Sequence, residues 1–176
     1  MKTIPVSKII VGFIAITLAY KVLALAEKKF SDGEIATILV ITNQNEINSA
    51  KLATKNSKNA EIHRFASNMI KDHASNKGSS LLIVESSNIQ MHETSKSDQI
   101  KQDGTEKITK LDKLKDKDFD KAYIQEQLIT YQKILRDLDH QLIPSSTDKK
   151  LKALLQETKE LTLQHNEMAK KVNEML

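Results

Sequence analysis

Four side chains able to do chemistry interrupt stripes that are otherwise apolar: Glu46, His73, Tyr131 and His165. His73 ends the series Ile62, Phe65, Ala66, Met69, Ile70, His73, whose steps of three and four place the imidazole where the apolar side chains point. Glu46 follows Ile35, Ile38, Leu39 and Thr42; Tyr131 stands between Leu128 and Leu135; His165 stands between Leu161 and Met168. Glu46, His73 and Tyr131 lie a similar depth into their helices, and His165 somewhat deeper into its own. At a rise of ~1.5 Å per residue, the four fall within a turn or two of a common level.

Two imidazoles and a carboxylate, with a phenol beside them, form a donor set for one zinc or iron ion. The same groups can instead satisfy one another as a structural polar layer that fixes helix register and binds nothing. The layer is the first reading, because buried polar groups are normally paired; the mononuclear metal site is the second. A di-iron site needs Glu-x-x-His on two helices, but Ile70 and Thr162 occupy the positions three before His73 and His165, which argues against it. Asp72 lies about 100° around the helix from His73 and reads as facing solvent or a neighbouring helix end. His63, His92 and His140 read as surface residues, and Met69 and Met168 as core fillers. With no Gly-rich phosphate loop and no serine or cysteine nucleophile context, an enzymatic role rests on the metal alone.

Positioning these groups requires an all-α domain. Residues 1–26 read as a secretory leader, with basic Lys2 and Lys8, an apolar run over Ile9–Tyr20 and small residues at Ala24 and Ala26. The run is shorter than the ~20 residues of a membrane span, so no stable transmembrane span is expected after leader removal. Losing Lys2, Lys8 and Lys21 with no acidic residue lowers the net charge from +4 to +1. A near-neutral mature chain gives no reason to expect a nucleic-acid partner. The absence of cysteine excludes disulfides, so stability rests on packing over residues 27–176.

Ser31-Asp32-Gly33-Glu34 has the form of a capping box and starts the first helix. Asn56-Ser57-Lys58-Asn59 ends it, and a second helix runs over residues 60–85, with Ala74, Leu81 and Val84 extending its inward stripe. Ser86 to Gly104 lacks large apolar groups and a clear period, and reads as a long crossover. A short helix over residues 105–114 precedes a third long helix, which starts near Asp118 and ends at Pro144. Ser145-Ser146-Thr147-Asp148 offers caps for a fourth helix reaching the C-terminus, with Met175 on its stripe. Four stripes packed around one core make a four-helix bundle with a long crossover between helices two and three, plus a short extra helix.

Glu46-Ile47, Leu52-Ala53, Phe65-Ala66, Met69, Asp72-His73, Phe119-Asp120-x-x-Tyr123 and His165 together resemble the domain of unknown function 4142 family. The resemblance covers nearly the whole mature chain. It implies an exported bacterial protein of ferritin-like four-helix-bundle fold, assigned to the periplasm or outer membrane, with no established reaction. The family pattern carries a second Asp-His in the third helix, where this chain has Thr130 and Tyr131, so a family-type histidine cluster is incomplete here. The functional expectation is a cell-envelope bundle with a non-enzymatic binding or stress-related role, its partner a protein or small molecule of unknown identity. The alternative is a mononuclear metal-binding protein using Glu46, His73 and His165, with Tyr131 as a further ligand.

Overall fold

The computed structural model describes residues 29–176, so the expected leader lies outside the described residues. Helix α1 spans Asp32–Asn56, and both arms of its capping box form: Glu34 N–H donates to Ser31 Oγ at 3.2 Å and Ser31 N–H to a Glu34 carboxylate oxygen at 2.8 Å. A three-residue connection leads to α2, Ala60–Ser86, capped by Asn59, whose Oδ1 accepts from Glu61 N–H at 2.8 Å. One short side chain at the start of each helix thus satisfies backbone groups that a helix end would otherwise leave exposed.

The expected long crossover is much shorter. Helix α3 spans Ser95–Leu111 and takes in all but the last turn of the short helix expected over residues 105–114. Its buried residues are Ser97, Gly104, Lys107 and Leu111, a helical spacing in which Leu111 is the one apolar side chain. Helix α4 spans Asp116–Asp137 and continues into a π-helical turn, Leu138–Leu142, and a short α5, Ile143–Ser145. Pro144 therefore does not end the helix at its predecessor as expected. In the widened turn, Ile143 N–H bonds to the Leu138 carbonyl, and this looser winding accommodates a ring that an ordinary helical turn would exclude. Helix α6, Lys149–Glu174, starts at Asp148, whose side chain accepts from Lys150 N–H and Leu151 N–H.

Helices α1, α2, α6 and α4 pack in that cyclic order as a four-helix bundle, and there is no strand among the described residues. The α1–α4 seam is the weak one, and α3 lies across it, touching both. Two apolar clusters fill the interior. One gathers Phe65, Met69, Phe119, Tyr123 and Tyr131; the other gathers Ile35, Leu39, Leu138, Leu151 and Leu155. Buried polar residues separate them along α1, α2 and α6, so the core is two apolar halves with a polar band between. The far end of α2 departs from the expected stripe: Ala74 and Leu81 are exposed, whereas Asn76 and Ser80 point inward. Met175 lies past the end of α6 and is exposed.

Gly104 permits the close approach of α3 to α1, since a β-carbon there would overlap the Asn45 side chain, which itself bonds the Ile100 carbonyl at 2.7 Å. Gly78 faces open space in the middle of α2. We expect Gly104→Ala to lower unfolding free energy by about 1–3 kcal/mol through overpacking, and Gly78→Ala to raise it by about 0.5–1 kcal/mol by restricting the unfolded chain. Urea titrations of both variants check this; a destabilising Gly78→Ala would contradict the placement of that face in solvent.

Candidate functional site

The polar band begins on α1 with Asn43 and Glu46, both buried. An isolated carboxylate in this position would be costly. Lys107 reaches in from α3 and places Nζ 2.7 Å from Glu46 Oε1, with a second, longer contact to Thr130 Oγ1 at 3.3 Å. Burial pushes the Glu46 carboxyl up, but Lys107 and His73, with hydrogen bonding from Lys107 and Gln127, outweigh it and hold the group below the usual carboxylate range. Gln127 also donates from Nε2 to Ser49 Oγ at 3.2 Å, tying α4 to α1.

A directional chain of hydrogen bonds runs through the rest of the band. Thr158 Oγ donates to the Leu154 carbonyl at 2.7 Å, which leaves its oxygen to accept from Asn76 Nδ2 at 2.8 Å. Asn76 Oδ1 then accepts from Asn43 Nδ2 at 2.7 Å, and the same nitrogen donates to the Leu39 carbonyl at 2.8 Å. Asn43 is left presenting Oδ1 to His73 Nδ1 at 2.9 Å, a contact that requires the proton to be on Nδ1. In the neutral ring, His73 Nε2 therefore carries a lone pair, and it is buried with no hydrogen-bond partner among the described residues.

His165 repeats this arrangement from α6. Its Nε2 lies 3.1 Å from Asp72 Oδ2, so the carboxylate fixes the proton there, and Nδ1 is a second buried nitrogen without a partner. The two rings are neighbours, with centroids 5.2 Å apart and planes tilted by 52°. Burial pushes His73 down to about 4 despite the opposing pull of Glu46. Burial also lowers His165, against the upward effects of Asp72 and Glu46. Both rings are neutral near pH 7, as metal ligands must be.

The expected four residues share a layer but not a common role. Glu46 is held by Lys107. Tyr131 donates its hydroxyl to Met69 Sδ at 3.0 Å, its ring 5.9 Å from that of His165, and burial, followed by the Glu46 charge, raises its pKa well above the usual range. Among the described residues, no three histidines, aspartates or glutamates converge on one point. Sequence reasoning placed Asp72 outside the site; its side chain reaches across to α6 and orients His165. It also missed Asn43 and Lys107. The Asn43 signal was its spacing of four from Leu39, whereas Lys107 falls within the short helix expected over residues 105–114, whose stripe is Ile108, Leu111 and Leu114, and nothing in the sequence marks that lysine as inward-facing. Asp120 is buried with Oδ1 lacking a partner, and Tyr123's hydroxyl likewise has none among the described residues.

The family model described as Domain of unknown function (DUF4142) matches residues 21–172. No curated protein matches this chain. A solved structure described as "CopM in the Cu(II)-bound form" is similar at 13% identity, over 84% of this chain and 98% of that one, with a TM-score of 0.64. At that identity the likeness speaks for the fold.

Two consequences can be measured. Replacing Lys107 by Met leaves Glu46 buried without its counter-ion, and we expect a loss of roughly 3–5 kcal/mol in urea unfolding at pH 7; adding Glu46→Gln should recover most of it. The second consequence is a pH dependence of the metal-free protein. Unfolded histidine takes up a proton near pH 6.5, whereas His73 in the fold does so only near 4, so the unfolded state holds more protons between those values. Stability is therefore complete above pH 6.5 and falls as pH drops through that window, by on the order of 3 kcal/mol from His73. His73→Leu should flatten this slope; an unchanged slope would mean that the imidazole is not buried as described.

Proposed function

The chain belongs to the DUF4142 family, and from the buried layer we propose that it is a non-enzymatic bundle that binds one transition-metal ion, copper foremost, between His73 and His165. One observation carries this reading: two buried imidazole lone pairs, on adjacent rings, have no donor among the described residues. A pair of acceptors cannot satisfy each other, but a cation satisfies both. The outer nitrogens are already tied to an amide oxygen and a carboxylate, the arrangement that orients metal-binding histidines.

The donor types favour copper over the zinc or iron suggested by sequence. Glu46 is engaged by Lys107, and the Tyr131 phenol stays protonated, so the oxygen ligands that iron prefers are committed elsewhere. Met69, one turn before His73 on the same inward face, has its sulfur occupied by the Tyr131 hydroxyl, so the two imidazoles are the ligands, and imidazole suits copper. Glu46 contributes negative charge to the layer rather than a bond. The likeness in fold to CopM, described in a copper-bound form, supports the same choice. The leader expected over residues 1–26 supports a place for the bundle in the cell envelope, in the periplasm or at the outer membrane, where protection against excess metal would be a stress-related role.

Purified protein stripped with chelator and titrated with copper, zinc, iron and manganese tests this directly. We expect close to one copper per chain by mass spectrometry, a higher melting temperature on loading, and loss of both in His73→Ala and His165→Ala. Copper retained by the double variant, or wild-type protein indifferent to every metal, would leave the histidines as a purely structural layer.

A further inference from the structure

A cleft of about 250 Å³ opens between α1, α3 and α4, and the metal reading makes no use of it. It exists because α1 and α4 scarcely touch and α3 bridges them from outside. Its walls include Ile100, Ile129 and Ile134, and Ile129 is 60% exposed, an unusual position for so large an apolar side chain. Its floor is the Lys107–Glu46 pair, with the Lys107 side chain only 9% exposed. An ammonium has three N–H groups. Two are directed at Glu46 and Thr130, and the third has no protein acceptor among the described residues.

The charges lining the cleft are unequal. Glu46 is matched by Lys107, Asp103 by Lys133 and Asp137 by Lys96. Glu106 and Glu126 remain, against Lys110 alone. The cleft thus keeps an excess negative charge near an apolar wall, above a buried donor that lacks an acceptor. Mostly apolar concave sites with a few convergent polar groups are the usual form of small-molecule sites.

We propose that this cleft binds a small primary aliphatic amine bearing an uncharged hydrogen-bond acceptor, such as an amino alcohol. Its ammonium lies against Glu106 and Glu126, its hydrocarbon covers Ile100, Ile129 and Ile134, and its acceptor takes the unused N–H of Lys107. A carboxylate ligand is disfavoured because it would place a second anion beside Glu46 and add to the surplus negative charge. The site is separate from the histidine pair and does not depend on metal.

The test uses the metal-free chain, with amide resonances followed by two-dimensional NMR. The probes are 5-amino-1-pentanol, 1-pentanol, pentylamine and pentanoate. The expected result is saturable shifts confined to residues around the cleft, strongest for the amino alcohol. Glu126→Gln and Ile129→Ser, both changes at the cleft mouth, should each weaken that binding about fivefold. Pentanoate binding as tightly as the amino alcohol overturns the charge assignment. Saturation by 1-pentanol alone overturns the role of the amine, and shifts elsewhere, or none up to millimolar concentrations, overturn the site itself.

Discussion

The buried carboxylate of Glu46 is the constraint on which the arrangement of the helices depends. Placed on the inward face of α1 and almost without solvent access, it needs a counter-charge in contact with it. Lys107 supplies it from α3, which explains why a helix of polar composition is held against the bundle. Its long side chain reaches both Glu46 on α1 and Thr130 on α4, so a single residue both neutralises the interior and fastens α3. Buried ion pairs add little net stability when compared with well-packed apolar replacements, whereas the loss of one partner is severe. The pair is therefore better understood as determining where α3 lies than as strengthening the bundle.

A second constraint is direction. Hydrogen bonds through Thr158, Asn76 and Asn43 all run one way because the Thr158 hydroxyl is committed to a main-chain carbonyl at the start. Each amide orientation then follows from the one before, and the chain ends by selecting the tautomer of His73. Asp72 selects the complementary tautomer of His165 from the opposite side. The unpartnered nitrogens, His73 Nε2 and His165 Nδ1, are thus unprotonated because of the bonds made at the other nitrogen of each ring. Reorganisation on binding a cation is small when the rings are already held in the required protonation state.

The four long helices, the capping box of α1 and the inward placement of Glu46, His73, Tyr131 and His165 followed from local rules; the partners of Glu46, His73 and His165 did not. His73 and His165 kept strict helical spacing with large apolar neighbours, and a stripe of that kind fixes a face whatever the tertiary partner. The first part of helix α3, before the helix expected over residues 105–114, was hidden because its inward residues are Ser97 and Gly104: the period is helical, but hydrophobicity does not report it. Lys107 lies in the expected part, but its burial follows from Glu46 rather than from its neighbours in sequence. Asp72 was misplaced because an angle measured at the β-carbon takes no account of reach; a carboxylate on the flank of α2 can still touch α6. At the far end of α2, Asn76 and Ser80 displaced Ala74 and Leu81 from the interior, since hydrogen bonding within the band governs that turn. Pro144 misled for a comparable reason: the π-helical turn before it relaxes the geometry in which proline is forbidden.

The distribution of these bonds bears on why the core is divided at all. Apolar faces tolerate sliding, because leucine and isoleucine pack acceptably in several registers, whereas a displaced amide or carboxylate loses its partner outright. Here the seams are pinned near one level: Asn43 with His73 and Asn76 between α1 and α2, Asp72 with His165 between α2 and α6, Glu46 with Lys107 between α1 and α3, and Ser49 with Gln127 between α1 and α4. A shift of one turn along any of these seams would orphan buried polar groups, at a cost of about 1–3 kcal/mol for each neutral one and more for the charged pair. The two apolar clusters supply cohesion on either side, and the band between them selects a single axial alignment. That alignment is also what brings the two histidine rings together, so the requirement for a unique register and the pairing of His73 with His165 arise from the same set of bonds.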